Sequence, residues 1–190
     1  MNTSTPWIQT AGGRRYTPFA PRPEQIVIFD IAHALAHKAR FNGHAHAFYS
    51  VAEHSVLVAD ALPPHLALWG LLHDAAEAYL PDIASPIKPY FSIHLPPLGH
   101  LSFAALEALT LDIIAEALQL PRPYTWSDPA VVAADLALLE TERRALMAPP
   151  PEPWATERFY NPAIPAPACL PPDFARRAFL DRYDALRAAP

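Results

Sequence analysis

Twenty-four prolines against five glycines in 190 residues decide where this chain can be helical. A proline inside a helix removes a backbone donor and clashes with the preceding turn, so helices must run between prolines. Most of the prolines do fall between periodic segments, as in Pro149-Pro150-Pro151 and from Pro162 to Pro172. Residues 1–29 read as irregular. Asp30 is a candidate N-cap for a helix from Ile31 to about Arg40, stopped by Asn42-Gly43. Ser50-Val51-Ala52-Glu53 has capping-box spacing, with Glu53 reaching back to Ser50. Val51, His54, Ser55, Val58 and Leu62 then form one inward stripe. Beyond Pro63-Pro64 a period of Leu66, Trp69, Gly70, Leu72 and His73 runs to about Leu80. Residues 102–120 are the longest amphipathic stretch, with Leu106, Leu109, Ile113 and Leu120 inward. Asp128-Pro129 is an N-cap and N1 pair opening a helix through Val131, Val132, Asp135, Leu136 and Leu139 to Met147. The last helix starts near Asp173 and carries Phe174, Ala178, Tyr183 and Leu186. No segment alternates with period two, and no repeat or Gly-rich phosphate loop is visible. The expectation is an all-α, single-domain helical bundle over residues 1–190, with 148–172 as a Pro-rich connection to the last helix.

Composition narrows the function classes. Hydrophobic residues make up 52% and charged ones 17%, which suits a globular core and excludes a disordered chain. A net charge of −5 offers no basic field for a nucleic-acid polymer, although a small phosphorylated substrate needs only a few local cations. Cys169 is the only cysteine, so no intrachain disulfide forms and a cytoplasmic setting is expected. No run of about 18 apolar residues appears, so no membrane span is expected.

The stretch Leu71-Leu72-His73-Asp74-Ala75-Ala76-Glu77 carries the chemistry. On a helix, Glu77 stacks one turn from His73 and Asp74. An imidazole with a carboxylate is an ordinary ligand set for a divalent transition metal. The plain alternative is a helix end with solvated polar groups, and the apolar flank Ala67 to Leu72 argues against it. Asp135 rides on the apolar face of its helix, where a carboxylate persists by pairing or by binding metal. Arg143 or Arg144 would be the pairing option. His54 lies on an inward face too, where a hydrogen-bonded core histidine is the competing reading. Metalloprotease chemistry has no support, since no His-Glu-x-x-His occurs.

The series His54 … His73-Asp74 … Asp135 resembles the H…HD…D signature of the HD superfamily of metal-dependent phosphohydrolases. Ser50-Val51-Ala52-Glu53-His54-Ser55, Leu72 to Glu77, and Asp82 with Pro86-Ile87-Lys88 look like the bacterial 5'-deoxynucleotidases. Their order also agrees with the phage deoxyadenosine triphosphohydrolases. The resemblance covers about residues 40 to 140 and implies an HD-type helical bundle. It implies that His54, His73, Asp74 and Asp135 hold one divalent ion (Co, Mn, Zn, Ni or Fe), with a second ion accompanying the substrate phosphates as an option. Glu77 would handle the water or leaving-group proton, and Asp82 would belong to the same catalytic group; a cap after Pro81 is its other reading. Lys88 would meet phosphate, unless it is a solvated loop lysine. Arg40-Phe41 stands where the nucleotidases carry Arg-Trp, so Arg40 would fork onto phosphate and Phe41 stack on a base. Phe for Trp, and Pro81 for the usual glycine, leave base preference open. His37, His44 and His46 are candidates for the phosphate entrance or plain loop residues, and Arg14-Arg15 is a weaker phosphate candidate.

Three functions are consistent with this reading. The first is hydrolysis of the 5'-phosphate ester of a nucleotide, either a dNMP or a dNTP. The second is a non-catalytic, metal-containing nucleotide sensor, against which the retention of Glu77 and Asp82 argues. The third is a structural helical protein with ion pairs in its core. The apolar helix over 102–120 makes a homo-oligomer the expected assembly.

Overall fold

A computed structural model describes residues 6–95, 99–120 and 125–189. The architecture is mainly helical: α1 (Ile28–His37), α2 (Val51–Asp60), α3 (Pro64–Leu72), α4 (Phe103–Ala117), α5 (Pro129–Leu146) and α6 (Pro172–Ala188). Two small antiparallel hairpins accompany them. β1 (Ile8–Gln9) pairs with β2 (Arg15–Tyr16), and β3 (Ser92–Leu95) pairs with β4 (Gly99–Ser102). None of the helices among the described residues is long and apolar enough to cross a membrane.

Helix α3 is the centre. Every residue from Leu66 to Leu72 is buried, so the helix is apolar all round and must be enclosed. It is enclosed by α2, α5 and α6, while α6 also lies across α1 and α2. Pro64 sits in its first turn, where the missing donor costs nothing. The expected continuation to Leu80 does not occur. The α-helix ends at Leu72, Asp74 takes the bridge conformation (φ −97°, ψ 10°), and a 3-10 turn follows at Ala75–Ala78.

Several other expectations change. Asp30 is not the N-cap of α1, which starts two residues earlier behind Val27. Its buried carboxylate instead accepts the Gly12 amide at 2.6 Å. A side chain at Gly12 would put its Cβ 2.8 Å from that oxygen, so the Asp30 carboxylate that pins the N-terminal hairpin would have to shift. The first helix also stops at His37, and Ala39 bridges to Ser50 as extended chain. The inward faces shift as well. Leu109, Val132 and Phe174 are exposed, and Ala175 and Phe179 carry the buried side of α6.

The Ser50 hydroxyl does cap α2 by accepting the Glu53 amide at 3.2 Å. The Glu53 side chain, however, leaves the box. Its carboxylate accepts the backbone N–H groups of Ala168, Cys169 and Leu170 at 2.7, 3.0 and 2.7 Å. The left-handed conformation of Cys169 (φ 58°) turns successive amides toward one side, the geometry of an anion nest. Glu53 fills that nest and ties the Pro-rich segment to α2. Glu53→Ala strands three donors, so stability should fall by roughly 2–4 kcal/mol. Urea unfolding measures the loss, and faster amide exchange confined to residues 168–170 should accompany it.

Candidate metal centre

Three elements bring the centre together: α2 supplies His54, the end of α3 supplies His73 and Asp74, and α5 supplies Asp135. Terminating α3 at Leu72 matters here. His73 keeps helical geometry while Asp74 leaves it, and Asp74 Oδ2 comes beside His73 Nε2. His54 Nε2 lies 3.1 Å from Asp135 Oδ1 and 3.3 Å from His73 Nε2. His73 Nε2 lies 3.8 Å from the same Asp135 oxygen. One ligand atom each from His54, His73 and Asp135 thus falls within 4.8 Å of the others. Asp74 sits at the edge of this triple, its Oδ2 3.3 Å from His73 Nε2 and 3.8 Å from His54 Nε2. A cation with ~2.1 Å bonds separates its ligand atoms by roughly 3.0–3.4 Å, so the spacing fits a first-row divalent metal.

The chemistry of the donor set fits as well. His73 Nδ1 donates to the Gly70 carbonyl at 2.7 Å, and His54 Nδ1 faces Glu142 Oε1 at 2.5 Å. Each ring is thereby tied at Nδ1 and presents Nε2 to the cluster, the usual arrangement behind a metal-bound imidazole. Burial opposes charge on His73, but the adjacent Asp74 and Asp135 carboxylates hold its pKa well above the ordinary histidine value. Asp74 and Asp135 are correspondingly held low by the two imidazoles, against the cost of burial. Arg143 and Arg144 do not compete for Asp135; both pair with Glu140.

A cavity of about 250 Å³ opens on the cluster. His73, Asp74, Glu77 and Asp135 line it together with Lys88, Glu107 and Trp126. Glu77 is buried and its Oε2 has no partner among the described residues. Burial, then the Asp74 and Asp82 charges, push its carboxyl up to about 8, while Lys38 and Arg40 pull the other way. Lys88 lines the cavity with its ammonium 2.9 Å from Glu107 Oε1. Asp82 is half-buried and acts on Glu77 and Lys38 through its charge.

Arg40 and Phe41 are placed differently from the expectation. The Arg40 fork is already filled: Nε and Nη2 donate to Glu142 Oε2 at 3.1 and 2.9 Å, and Nη1 lies 3.6 Å from Asp74. Phe41, in left-handed backbone (φ 55°), lies between Arg40 and Trp154 and does not line the cavity. His44 and His46 are exposed, and His37 stacks on His33. Arg14 is exposed and Arg15 lies over Trp7.

Sequence reasoning passed over Glu142, Tyr49 and Lys38. The signal for Glu142 was available, because seven residues after Asp135 is two helical turns along the same face. Tyr49 donates to Glu142 Oε1 at 2.7 Å. Lys38 donates to the Leu80 carbonyl at 2.5 Å, where burial lowers its ammonium against the Glu77, Asp82 and Asp74 charges.

Among curated proteins, the chain is 36% identical over 187 residues to YfdR, an uncharacterized protein of Escherichia coli K12, covering 95% of each chain. It is 45% identical over 91 residues to an uncharacterized protein of Rhodobacter capsulatus, which is 43% of this chain and 46% of that one. No protein-family profile matches.

With its guanidinium committed to Glu142, Arg40 should matter to folding before it matters to substrate. Arg40→Met leaves a buried carboxylate without its counter-charge and should cost about 3–5 kcal/mol in denaturant unfolding. A variant of full stability whose only defect is a higher substrate KM would return Arg40 to the phosphate site.

Proposed function

The chain belongs to the same family as YfdR of Escherichia coli, and we propose that it is an HD-type metal-dependent phosphohydrolase acting on nucleoside 5'-phosphates. The observation that carries this reading is the convergence of two imidazole Nε2 atoms and the Asp135 and Asp74 carboxylates beside a cavity that is also lined by the buried Glu77, whose Oε2 has no partner among the described residues. A structural ion-pair cluster would satisfy its own polar atoms, whereas Glu77 is left with an acceptor to spare. That spare oxygen also favours turnover over nucleotide sensing. His54, His73, Asp74 and Asp135 would hold the ion. When bound, a divalent cation supplies charge against the phosphoryl oxygens and lowers the pKa of water.

The chain's own groups account for the remaining tasks. Water attacks the phosphorus attached to the 5'-oxygen; the new P–O bond forms as the bond to the 5'-oxygen breaks. The departing nucleoside takes a proton, and the water gives one up. Glu77 would move one of these protons, and the affinity for a proton that burial and the Asp74 and Asp82 charges give it supports either direction. Lys88 would exchange Glu107 for a phosphate oxygen as substrate enters. With a monophosphate the products are nucleoside and phosphate; with a triphosphate they are nucleoside and triphosphate.

Chromatography of products from a dNMP and dNTP panel with Co²⁺ or Mn²⁺ tests the reading. Free nucleoside should appear from one of the two classes, and no release from any nucleotide under metal-loaded conditions would end the proposal. Glu77→Gln should keep the metal while turnover falls by roughly 10²–10⁴-fold. Loss of metal from this variant would make Glu77 a ligand.

A further inference from the structure

Behind His54, on the side away from the cavity, lies a carboxylate that the reaction does not consume. Glu142 is fully buried on α5 and meets only groups that donate to it. Tyr49 donates its hydroxyl to Oε1, and Arg40 donates two N–H groups to Oε2. His54 Nδ1 lies 2.5 Å from Oε1. An ionised carboxylate accepts and cannot donate. The hydrogen in that short contact therefore belongs to the His54 ring, at Nδ1. With Nδ1 so committed, Nε2 is the atom left to face Asp135 and His73.

We propose that Glu142 is a positioning residue for the metal: it fixes His54 with Nδ1 protonated and Nε2 directed at the ion, and Arg40 is its counter-charge. The inference rests on reading the cluster as a metal centre, and it assigns Arg40 to the ligand scaffold. The arrangement joins three parts of the chain. Arg40 opens the 3-10 turn Arg40–Gly43 before α2, and its amide donates to the Tyr49 carbonyl at 2.8 Å. His54 comes from α2, and Glu142 follows Asp135 by two turns on α5. A rotation of the His54 ring would break its contact with Glu142 Oε1 and turn Nε2 away from the cluster. The carboxylate also makes the imidazole a stronger electron donor.

Glu140 supplies a control. It too is fully buried on α5, but it pairs with Arg143 and Arg144 and touches no ligand. Co²⁺ and Mn²⁺ affinities should be measured by calorimetry for the wild type, Glu142→Gln and Glu140→Gln. Glu142→Gln should bind about ten- to a hundredfold more weakly, the usual cost of losing a partner behind a ligand, while Glu140→Gln binds as the wild type does. Equal affinity in Glu142→Gln and the wild type would overturn the proposal, as would an equal loss in both variants. A second readout needs no metal. In protein labelled with ¹⁵N-histidine, the His54 Nδ1 proton should be visible and slow to exchange, and should exchange faster in Glu142→Gln. If the wild type takes up no cation, the phosphohydrolase reading fails by itself. The slow Nδ1 proton then still supports the Glu142 assignment, and its absence overturns it.

Discussion

The buried charge of Glu142 is the constraint on which the centre depends. A carboxylate with no exposure is expensive to bury, and here it survives because Arg40, Tyr49 and His54 all give it hydrogen bonds. None of the three comes from α5. The requirement to satisfy one acid therefore draws the segment before α2, and α2 itself, onto the fifth helix. Burial and the Arg40 charge are not free parameters in this arrangement. Burial opposes the ionised form, and Arg40 and His54 hold the Glu142 pKa below the usual carboxylate range.

A second constraint acts from the other side of α2. Glu53 and His54 are adjacent, so they point to different faces of the helix. Glu53 is fastened to the amides of residues 168–170, and His54 to Glu142 on α5. Neither tie alone fixes how α2 is rotated about its axis. Together they do, because turning the helix to improve one contact must lengthen the other. The Pro-rich connection is thus part of how a candidate metal ligand is aimed, although none of its residues lines the cavity.

Much of this was legible in the sequence, for reasons that can be named. His54 and Asp135 stood out because a histidine and an acid on apolar stripes need a reason to be there, and both reach the centre. Ser50 and Asp128 could be assigned as caps because that signal is local, and both hydroxyl and carboxylate do cap. The stop after Leu72 was not legible. His73-Asp74-Ala75-Ala76-Glu77 contains no glycine or proline, so propensity carries no signal for the break. The β3–β4 hairpin went against the all-α expectation, because its alternation is too short to register. Ile93 and Leu101 face inward while Ser92, His94, His100 and Ser102 face out, an alternation only four residues long on each strand. Arg40 shows the limit of motif reasoning. It lies 3.6 Å from Asp74, but charge alone cannot say whether an arginine waits for phosphate or answers a buried acid elsewhere in the chain.

That last distinction bears on how the cavity handles charge. With Arg40 committed to Glu142, the cationic groups lining the cavity are Lys88, which begins paired with Glu107, and His73, whose pKa the Asp74 and Asp135 carboxylates raise. Asp74, Glu77, Glu107 and Asp135 line the same space. A phosphate entering such an acidic pocket would be repelled unless cationic charge were supplied within it. Lys38 sits behind Glu77 with its ammonium on the Leu80 carbonyl and does not line the cavity. Lys88 is thus engaged by Glu107 and His73 by Asp74, so neither is free for an incoming phosphate. A divalent ion on His54, His73, Asp74 and Asp135 would displace any proton from the two Nε2 atoms and put its own charge at the point where phosphate must bind, so on this reading substrate affinity and metal occupancy are coupled.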